Sequence, residues 1–358
     1  MSTMINWKIG STMATGVSSR SWSAGILAAV PSTDHRARSG AFGLACVLSA
    51  SALFAINGTV SKLAMQSGLT SMQLVLLRVA GAAVLYVLIA LVRQHRGLGS
   101  LRTTRAELPH LVLLGIVGVT LLQWTYFVAI QRLPVGVALL VEYTAPVMVA
   151  LWVLLVRHEP VRRQVWAALG LCLGGLALVA QVWQGLALDG VGLVFGFAAA
   201  ACLAGYWLIG EQGMGRRDPW SLCAWIFCIG AVPWVFLAPA WSIDAGTLTA
   251  AAALPGDLPG DLAVPVWVLV CWVVTLGTVV PFTLTLMALH TLGAARAGLV
   301  ATTEPVFAAV VAWLVLGEAL DAVQLLGAAV IMAGIVLAET SRRAPEDAAR
   351  TGATAVPG

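Results

Sequence analysis

Charge is scarce in this sequence. Of 358 residues, only 10% are Asp, Glu, Lys or Arg. A soluble domain carries roughly 25%, because its surface must face water. A chain of this length cannot clothe a water-facing surface so thinly, which excludes an ordinary soluble fold. Reactive motifs are missing too. There is no GxxxxGK[ST] loop, so ATP-driven transport by this chain alone is not expected, and there is no HExxH or GxSxG for an intramembrane protease or hydrolase. The six cysteines (Cys46, Cys172, Cys202, Cys223, Cys228 and Cys271) form no CxxC pair and no Cys/His cluster. They lie in apolar runs and read as small packing residues, so neither a metal nor a cofactor is expected. The net charge of +4 comes with no aromatic-interleaved basic patch, which argues against nucleic acid.

What the chain has in abundance is apolar sequence: 60% of its residues are hydrophobic and the mean hydropathy is +0.93. About 20 apolar residues span a bilayer as a helix. Ten such segments are expected, over 41–64, 70–92, 109–130, 135–156, 164–182, 190–210, 219–240, 263–289, 295–316 and 322–340. Proline marks two starts, at Pro109 and Pro134, where a missing N–H is harmless.

With ten helices, the basic residues alternate consistently. Lys8, Arg20, Arg36 and Arg38, then Arg93, Arg96, Arg102 and Arg105, then Arg157, Arg162 and Arg163, then Arg216, Arg217, Arg296, Arg342, Arg343 and Arg350 all fall on one side. The other side has Arg132 alone, with Asp244, Asp257 and Asp261 in its longest loop. The positive-inside rule then puts both termini in the cytoplasm of a multi-pass protein of the cell membrane. Residues 1–39 and 341–358 read as disordered cytoplasmic tails. The short apolar stretch Ala24 to Val30 lacks a clear cleavage site after it, so a cleaved signal peptide is disfavoured against a disordered extension or an upstream start codon.

The two halves repeat. A shift of 159 residues lays 129–178 on 288–337 without a gap, matching Thr144, Pro146, Val147 and Ala150 to Thr303, Pro305, Val306 and Ala309, Glu159 to Glu318, and Gly175 to Gly334. A weaker match at a shift near 149 sets Asn57 opposite Tyr206 and Lys62 opposite Glu211. Five helices is an odd number, so the second half, 188–340, lies upside down relative to the first, 40–183. Inverted repeats of this kind are a transporter architecture. The element Thr144-Ala145-Pro146 through Glu159 and Gly175, repeated as Thr303-Glu304-Pro305 through Glu318 and Gly334, with Asn57 to Lys62 and Arg78, resembles the EamA-type repeat of the drug/metabolite transporter superfamily. The resemblance covers 41–340. It implies an all-α integral membrane carrier of ten helices with both termini cytoplasmic, in a superfamily that moves amino acids, sugars, nucleotide sugars, drugs and other metabolites and includes many exporters. The sequence departs from the pattern where the Lys62 position carries Glu211.

Ionisable groups inside a bilayer are costly and need a reason. Glu142 and Glu304 each stand beside a proline, Pro146 or Pro305, which cannot close the helical hydrogen bond to Glu142 or Ala301. Freed carbonyls near the midplane mark substrate and ion sites. Both carboxylates are expected to line a central cavity, where they bind a cationic group or take up a proton. Interhelical hydrogen bonds by a protonated carboxyl are the alternative. Arg78 either attracts an anionic substrate group or makes a fixed ion pair with a Glu. Lys62 reads as a side chain that snorkels to the interface. Asn57, Gln123, Trp124, Tyr126, Tyr143, Tyr206 and Trp207 are the candidate pocket residues, with bundle packing as the competing reading. Trp152, Trp166, Trp183, Trp220, Trp241 and Trp267 read as interfacial anchors, and His158 and His290 as solvated. Gly170 and Gly174, aligned with Ala329 and Ala333, suggest close helix contact within the bundle or across a homodimer.

Together these features point to a secondary transporter that moves a small metabolite (an amino acid, amine or drug-like compound) across the membrane by alternating access, in the export direction. Its partners would be the small-molecule substrate, membrane lipids and protons. A passive facilitator or importer is the alternative within transport, and an intramembrane lipid or acyl-transfer enzyme the alternative of another class.

Overall fold

The computed structural model describes residues 33–133, 135–182, 189–214, 217–238, 241, 243–253, 263–316 and 321–353. Pro134, Trp183, Arg216, Asp257, Asp261, Glu318 and residues 1–32 lie outside the described residues, as do the side chains of Arg36, Arg38, Arg342, Arg343 and Arg350. The chain divides into two units, Met1–Gly40 and Ala41–Gly358. In the first, residues 33–40 are helical.

Long apolar runs with few charges fold as helices, because a backbone in hydrocarbon must satisfy its own N–H and C=O groups. We number the helices α1 (Thr33–Gln66), α2 (Ser71–His95), α3 (Leu108–Arg132), α4 (Val135–Glu142 and Ala145–Leu155), α5 (Arg163–Val179), α6 (Gly190–Met214), α7 (Pro219–Leu237), α8 (Val266–Leu292), α9 (Ala294–Ala301 and Glu304–Leu316) and α10 (Ala322–Ala353). Among the described residues, nine helices are long and apolar enough to cross a membrane. The tenth expected span is α5, apolar but only 17 residues long. Helix α10 runs on to Ala353, past the expected tail boundary at 341 and through Pro345, a residue that opposes helix. Between α7 and α8 stand a helical turn, Ala245–Thr249, and a two-stranded antiparallel ribbon of β1 (Ala251–Ala253) and β2 (Ala263–Pro265), with Ala252 opposite Val264.

The repeat is visible as geometry. A Cβ added at Gly175 of α5 would lie 2.7 Å from the Gly327 carbonyl oxygen of α10, and one at Gly334 would lie 2.9 Å from the Ala168 carbonyl. Residues 168 and 327, like 175 and 334, are 159 apart. Rising numbers on α5 meet falling numbers on α10, so these equivalent helices run antiparallel about a local two-fold. That is the packing inverted halves require. The seam lies one residue beyond the small-residue pairs expected from sequence: a Cβ at Gly170 or Gly174 would meet nothing within 4 Å. One residue turns a helix surface by about 100°, which suffices to take those glycines off the contact face.

Both halves also interrupt their helices at matching places. Helix α3 passes through a π turn at Ile116–Leu121 and α8 through one at Thr275–Val279. Helix α4 breaks at Tyr143–Thr144 and α9 at Thr302–Thr303. Each pair of starting positions is again 159 residues apart. A proline without an N–H, Pro146 or Pro305, follows each break. Threonine hydroxyls turn back onto the preceding carbonyls, Thr144 Oγ1 to Val141 O at 2.6 Å and Thr302 Oγ1 to Leu299 O at 2.6 Å.

On the face that carries the α2–α3 and α6–α7 connections, ion pairs gather, and those of Arg217 and Arg157 tie the halves together. Arg217, 7% exposed, donates to Glu107 at 2.5 Å and to the carbonyls of Arg102 at 2.6 Å and Ser100 at 3.4 Å, joining the α6–α7 connection to the α2–α3 loop. Arg157, just beyond α4, lies 3.2 Å from Glu211 of α6, which also accepts from the Ala294 N–H at the start of α9. Arg296 pairs with Glu339.

Two predictions follow from this packing. Gly175→Ala must push backbone from backbone, and overpacking of that kind costs roughly 1–3 kcal/mol. It should lower the thermal midpoint of the purified protein, whereas Gly170→Ala should not. The second concerns acid. The Arg217 hydrogen bond holds the Glu107 carboxyl below its usual value of 4.5. A group depressed on folding contributes stability above its unfolded pKa and loses it only as pH falls through the folded value. The loop tie should therefore persist through the range where a free carboxylate protonates and release only at lower pH. Limited proteolysis of the α2–α3 loop against pH should show this, with Glu107→Gln cleaved already at neutral pH.

Candidate functional site

A cavity of about 510 Å³ opens between the halves. It follows α1 from Val47 to Met65 and is bounded by Leu74, Val75 and Arg78 of α2, Leu122 to Ile130 of α3, Tyr143 of α4, Leu203 to Trp207 of α6, Phe282 and Thr285 of α8, and Ala297 to Glu304 of α9. Lys62 and Met65, both exposed, stand at its mouth, near the end of α1. The opposite face carries the ion pairs described above.

Eight of the ten residues named from sequence line this cavity: Asn57, Arg78, Gln123, Tyr126, Tyr143, Tyr206, Trp207 and Glu304. Two are not among its walls. Trp124 turns to α6, where its ring meets Phe195 edge-on at 5.6 Å. Glu142 is the last residue before the α4 break, half-buried and within Coulombic reach of Glu304 and Tyr126. Lys62 lines the mouth rather than serving only as a membrane-surface anchor. Its repeat counterpart Glu211 is spent on Arg157 and Ala294, so the two positions do different work. Sequence reading passed over Ser51, Phe54, Phe127, Phe282 and Thr285. Apolar aromatics inside apolar runs carry no distinguishing signal, although Phe282 is the repeat counterpart of Gln123.

The breaks set the polar groups. Glu304 opens the second segment of α9, where the helix dipole favours a carboxylate. Tyr143, in the α4 break, donates its hydroxyl to Glu304 Oε2 at 2.7 Å. Arg78 reaches in from α2. Its Nε is shielded from solvent and has no hydrogen-bond partner among the described residues. Arg78 belongs to none of the ion pairs that join Arg93 to Asp218, Arg132 to Asp189, Arg157 to Glu211, Arg217 to Glu107 and Arg296 to Glu339. The fixed Arg–Glu pair considered from sequence is thus not formed, although the charge of Glu304 acts on Arg78. One chamber therefore holds an unpaired guanidinium edge and a carboxylate fixed by a phenol.

The π turns bear directly on this chamber. A Cβ at Gly277, in the α8 turn, would lie 2.1 Å from Asn57 Oδ1, and one at Gly118, in the α3 turn, 2.5 Å from the Tyr206 ring. Each turn thus rests on a wall residue of the opposite half, and Asn57 and Tyr206 are the pair matched by the weaker repeat alignment. π turns inside α-helices concentrate at functional sites.

Two successive segments, residues 41–181 and 190–340, match the model of the EamA-like transporter family. The chain belongs to this family. As an EamA-like protein it is a multi-pass membrane transporter. Relatives include the threonine/homoserine exporter RhtA of Salmonella typhimurium, 28% identical over 228 residues, 63% of this chain and 70% of that protein. RhtA of Escherichia coli K12 is 29% identical over 215 residues, 59% of this chain and 65% of the relative. The uncharacterized inner membrane transporter YicL of Salmonella typhimurium is 23% identical over 304 residues, 84% of this chain and 96% of the relative. A solved crystal structure superposes with a TM-score of 0.62 at 18% identity, covering 86% of this chain and 99% of that one. At that identity it supports the fold alone.

If the π turns carry motion between the halves, Gly277→Ala and Gly118→Ala should each cut transport more than tenfold while the protein still reaches the membrane. Gly174→Ala, whose Cβ meets nothing within 4 Å and lies outside the cavity lining, should not. Transport rates normalised to the amount of protein in the membrane would check this.

Proposed function

We propose that this transporter is a secondary carrier that exports a zwitterionic α-amino acid by alternating access. The observation that carries the reading is the pairing of opposite charges in one cavity: the shielded, unpartnered Nε of Arg78 and the Glu304 carboxylate held by Tyr143. A guanidinium presents donors in the plane a carboxylate needs. A carboxylate beside aromatic rings accepts an ammonium group. The zwitterion would present its carboxylate to Arg78 and its ammonium to Glu304. The names of the RhtA relatives, threonine/homoserine exporters, support an amino acid as cargo and export as direction.

In this reading the arginine-rich face is cytoplasmic, and the cavity stands open to the outside, in the state that releases cargo. The cytoplasmic side is shut by ion pairs such as Arg157–Glu211, whose side chains are 30% and 26% exposed. Exposed pairs are worth about 1 kcal/mol or less each. Such ties hold one conformation without locking it, as a carrier with two states of similar energy requires. Glu142 and Glu304 face each other's charge across the α4 and α9 breaks and are the groups that would take up a proton when the cargo leaves.

The test is exchange in proteoliposomes. Vesicles containing the full-length protein and preloaded with an unlabelled amino acid mixture should take up labelled amino acid, but neither the matching decarboxylated amine nor the deaminated acid. Hydrogen bonds to charged groups contribute roughly 1.5–3 kcal/mol, so Arg78→Gln and Glu304→Gln should each lower exchange about tenfold or more. Equal transport of amine and amino acid, with Arg78→Gln unaffected, would sink the reading. Exchange indifferent to an imposed pH gradient and to Glu142→Gln would leave a facilitator without proton coupling.

A further inference from the structure

The cavity has two unlike parts. Arg78 of α2 and Glu304 of α9, with Tyr143 of α4, form its charged part, and Lys62 of α1 stands at the mouth. Its closed end is aromatic and comes from α1, α6 and α8. There the Phe282 ring lies 5.5 Å from Phe54 at 87° and 5.7 Å from Tyr206 at 63°. Behind it, outside the cavity, Phe227 packs against Phe282 at 5.0 Å and against Tyr86 at 5.1 Å. Edge-to-face contacts of this kind favour a fixed arrangement of rings. Phe282 and Tyr206 are 5% and 3% exposed, and Tyr206 is also backed by Gly118. The floor is therefore preformed, with no slack to fold into the space above it.

The repeat sharpens the point. Phe282 corresponds to Gln123, 159 residues earlier, and both line the cavity. One half offers a polar amide and the other an aromatic ring, so the base is mainly aromatic, with the Tyr206 hydroxyl, buried and without a hydrogen-bond partner among the described residues, as a polar atom. At about 510 Å³, it lies in the range of pockets that enclose drug-sized ligands. A charged amino-acid head held by Arg78 and Glu304 fills little of that. A side chain as small as threonine's would leave the aromatic floor wetted, whereas a bulky apolar one would displace that water, which is the favourable exchange.

We infer that the cargo is an α-amino acid with a bulky apolar or aromatic side chain, seated on Phe54, Tyr206 and Phe282, with Phe282 as the main determinant of side-chain choice. This rests on the charged-head reading above and goes beyond it, because the RhtA relatives are named for amino acids with small, hydroxyl-bearing side chains.

The same proteoliposomes test it, with labelled phenylalanine, leucine and threonine as probes. Phenylalanine and leucine should half-saturate exchange at concentrations about tenfold or more below threonine. Phe282→Ala should bring that ratio towards one by weakening the bulky substrates most. Phe282→Leu, which keeps an apolar floor of smaller area, should leave an intermediate ratio and guards against a misfolded alanine variant. Threonine exchanged as well as or better than phenylalanine would overturn the inference while leaving the amino-acid reading intact. So would a preference unchanged in both Phe282 variants. Failure of every zwitterion to exchange would remove the charged-head reading and this inference with it.

Discussion

The structure depends on one constraint: in hydrocarbon, a backbone N–H or C=O without a partner costs several kcal/mol, so a spanning helix must satisfy itself throughout. Most of this chain obeys. The exceptions are few and placed in pairs, as π turns in α3 and α8 and breaks in α4 and α9. Each has a buried part: Gly118, Val119 and Thr120 in the α3 turn, Gly277, Thr278 and Val279 in the α8 turn, Tyr143 in the α4 break, and Thr302 and Thr303 in the α9 break. The site is built from these exceptions. The breaks present Tyr143 and Glu304, and the turns bring Gly118 and Gly277 against Tyr206 and Asn57.

Inverted duplication explains why the exceptions pair. The antiparallel seam of α5 and α10, with Gly175 and Gly334 against opposite backbones, is the local two-fold about which the halves correspond. The halves are nevertheless unequal where it matters chemically. Gln123 faces Phe282 across the repeat, and Glu211 is tied into an ion pair while Lys62 stands at the mouth of the cavity. In the proposed alternating-access reading, symmetric backbones would supply two related conformations, and asymmetric side chains would let one substrate bind in a defined orientation.

Much of this was legible in the sequence because it rests on strong signals. Ten apolar runs, the alternating arginines and the aligned Pro, Glu and Gly residues predict the helices and the inverted halves. Glu304 and Arg78 stood out as charges where charge is expensive. Other features were not legible. The seam shifted from Gly170 and Gly174 to Gly175, because helix rotation is not encoded in spacing alone. Glu142 is not among the cavity-lining residues although Glu304 is, because the two carboxylates are not repeat equivalents: Glu304 corresponds to Ala145. Phe54 and Phe282 were invisible, since a phenylalanine in an apolar run looks alike whether it faces lipid, core or cavity. The π turns left no pattern, being set by packing against the opposite half.

Helix α5 is shorter than its neighbours. Its 17 residues rise about 25 Å at 1.5 Å each, against a hydrocarbon core of about 30 Å. A helix shorter than the hydrocarbon core is accommodated by local thinning of the bilayer or by snorkelling of flanking residues, and Arg163 stands at the start of α5. The seam at the local two-fold is therefore also a place where the protein's apolar helix is shorter than the bilayer core. Acyl-chain length then becomes a physical variable of this protein's function: thicker membranes strain the seam about which the halves would have to move, and thinner ones relieve it.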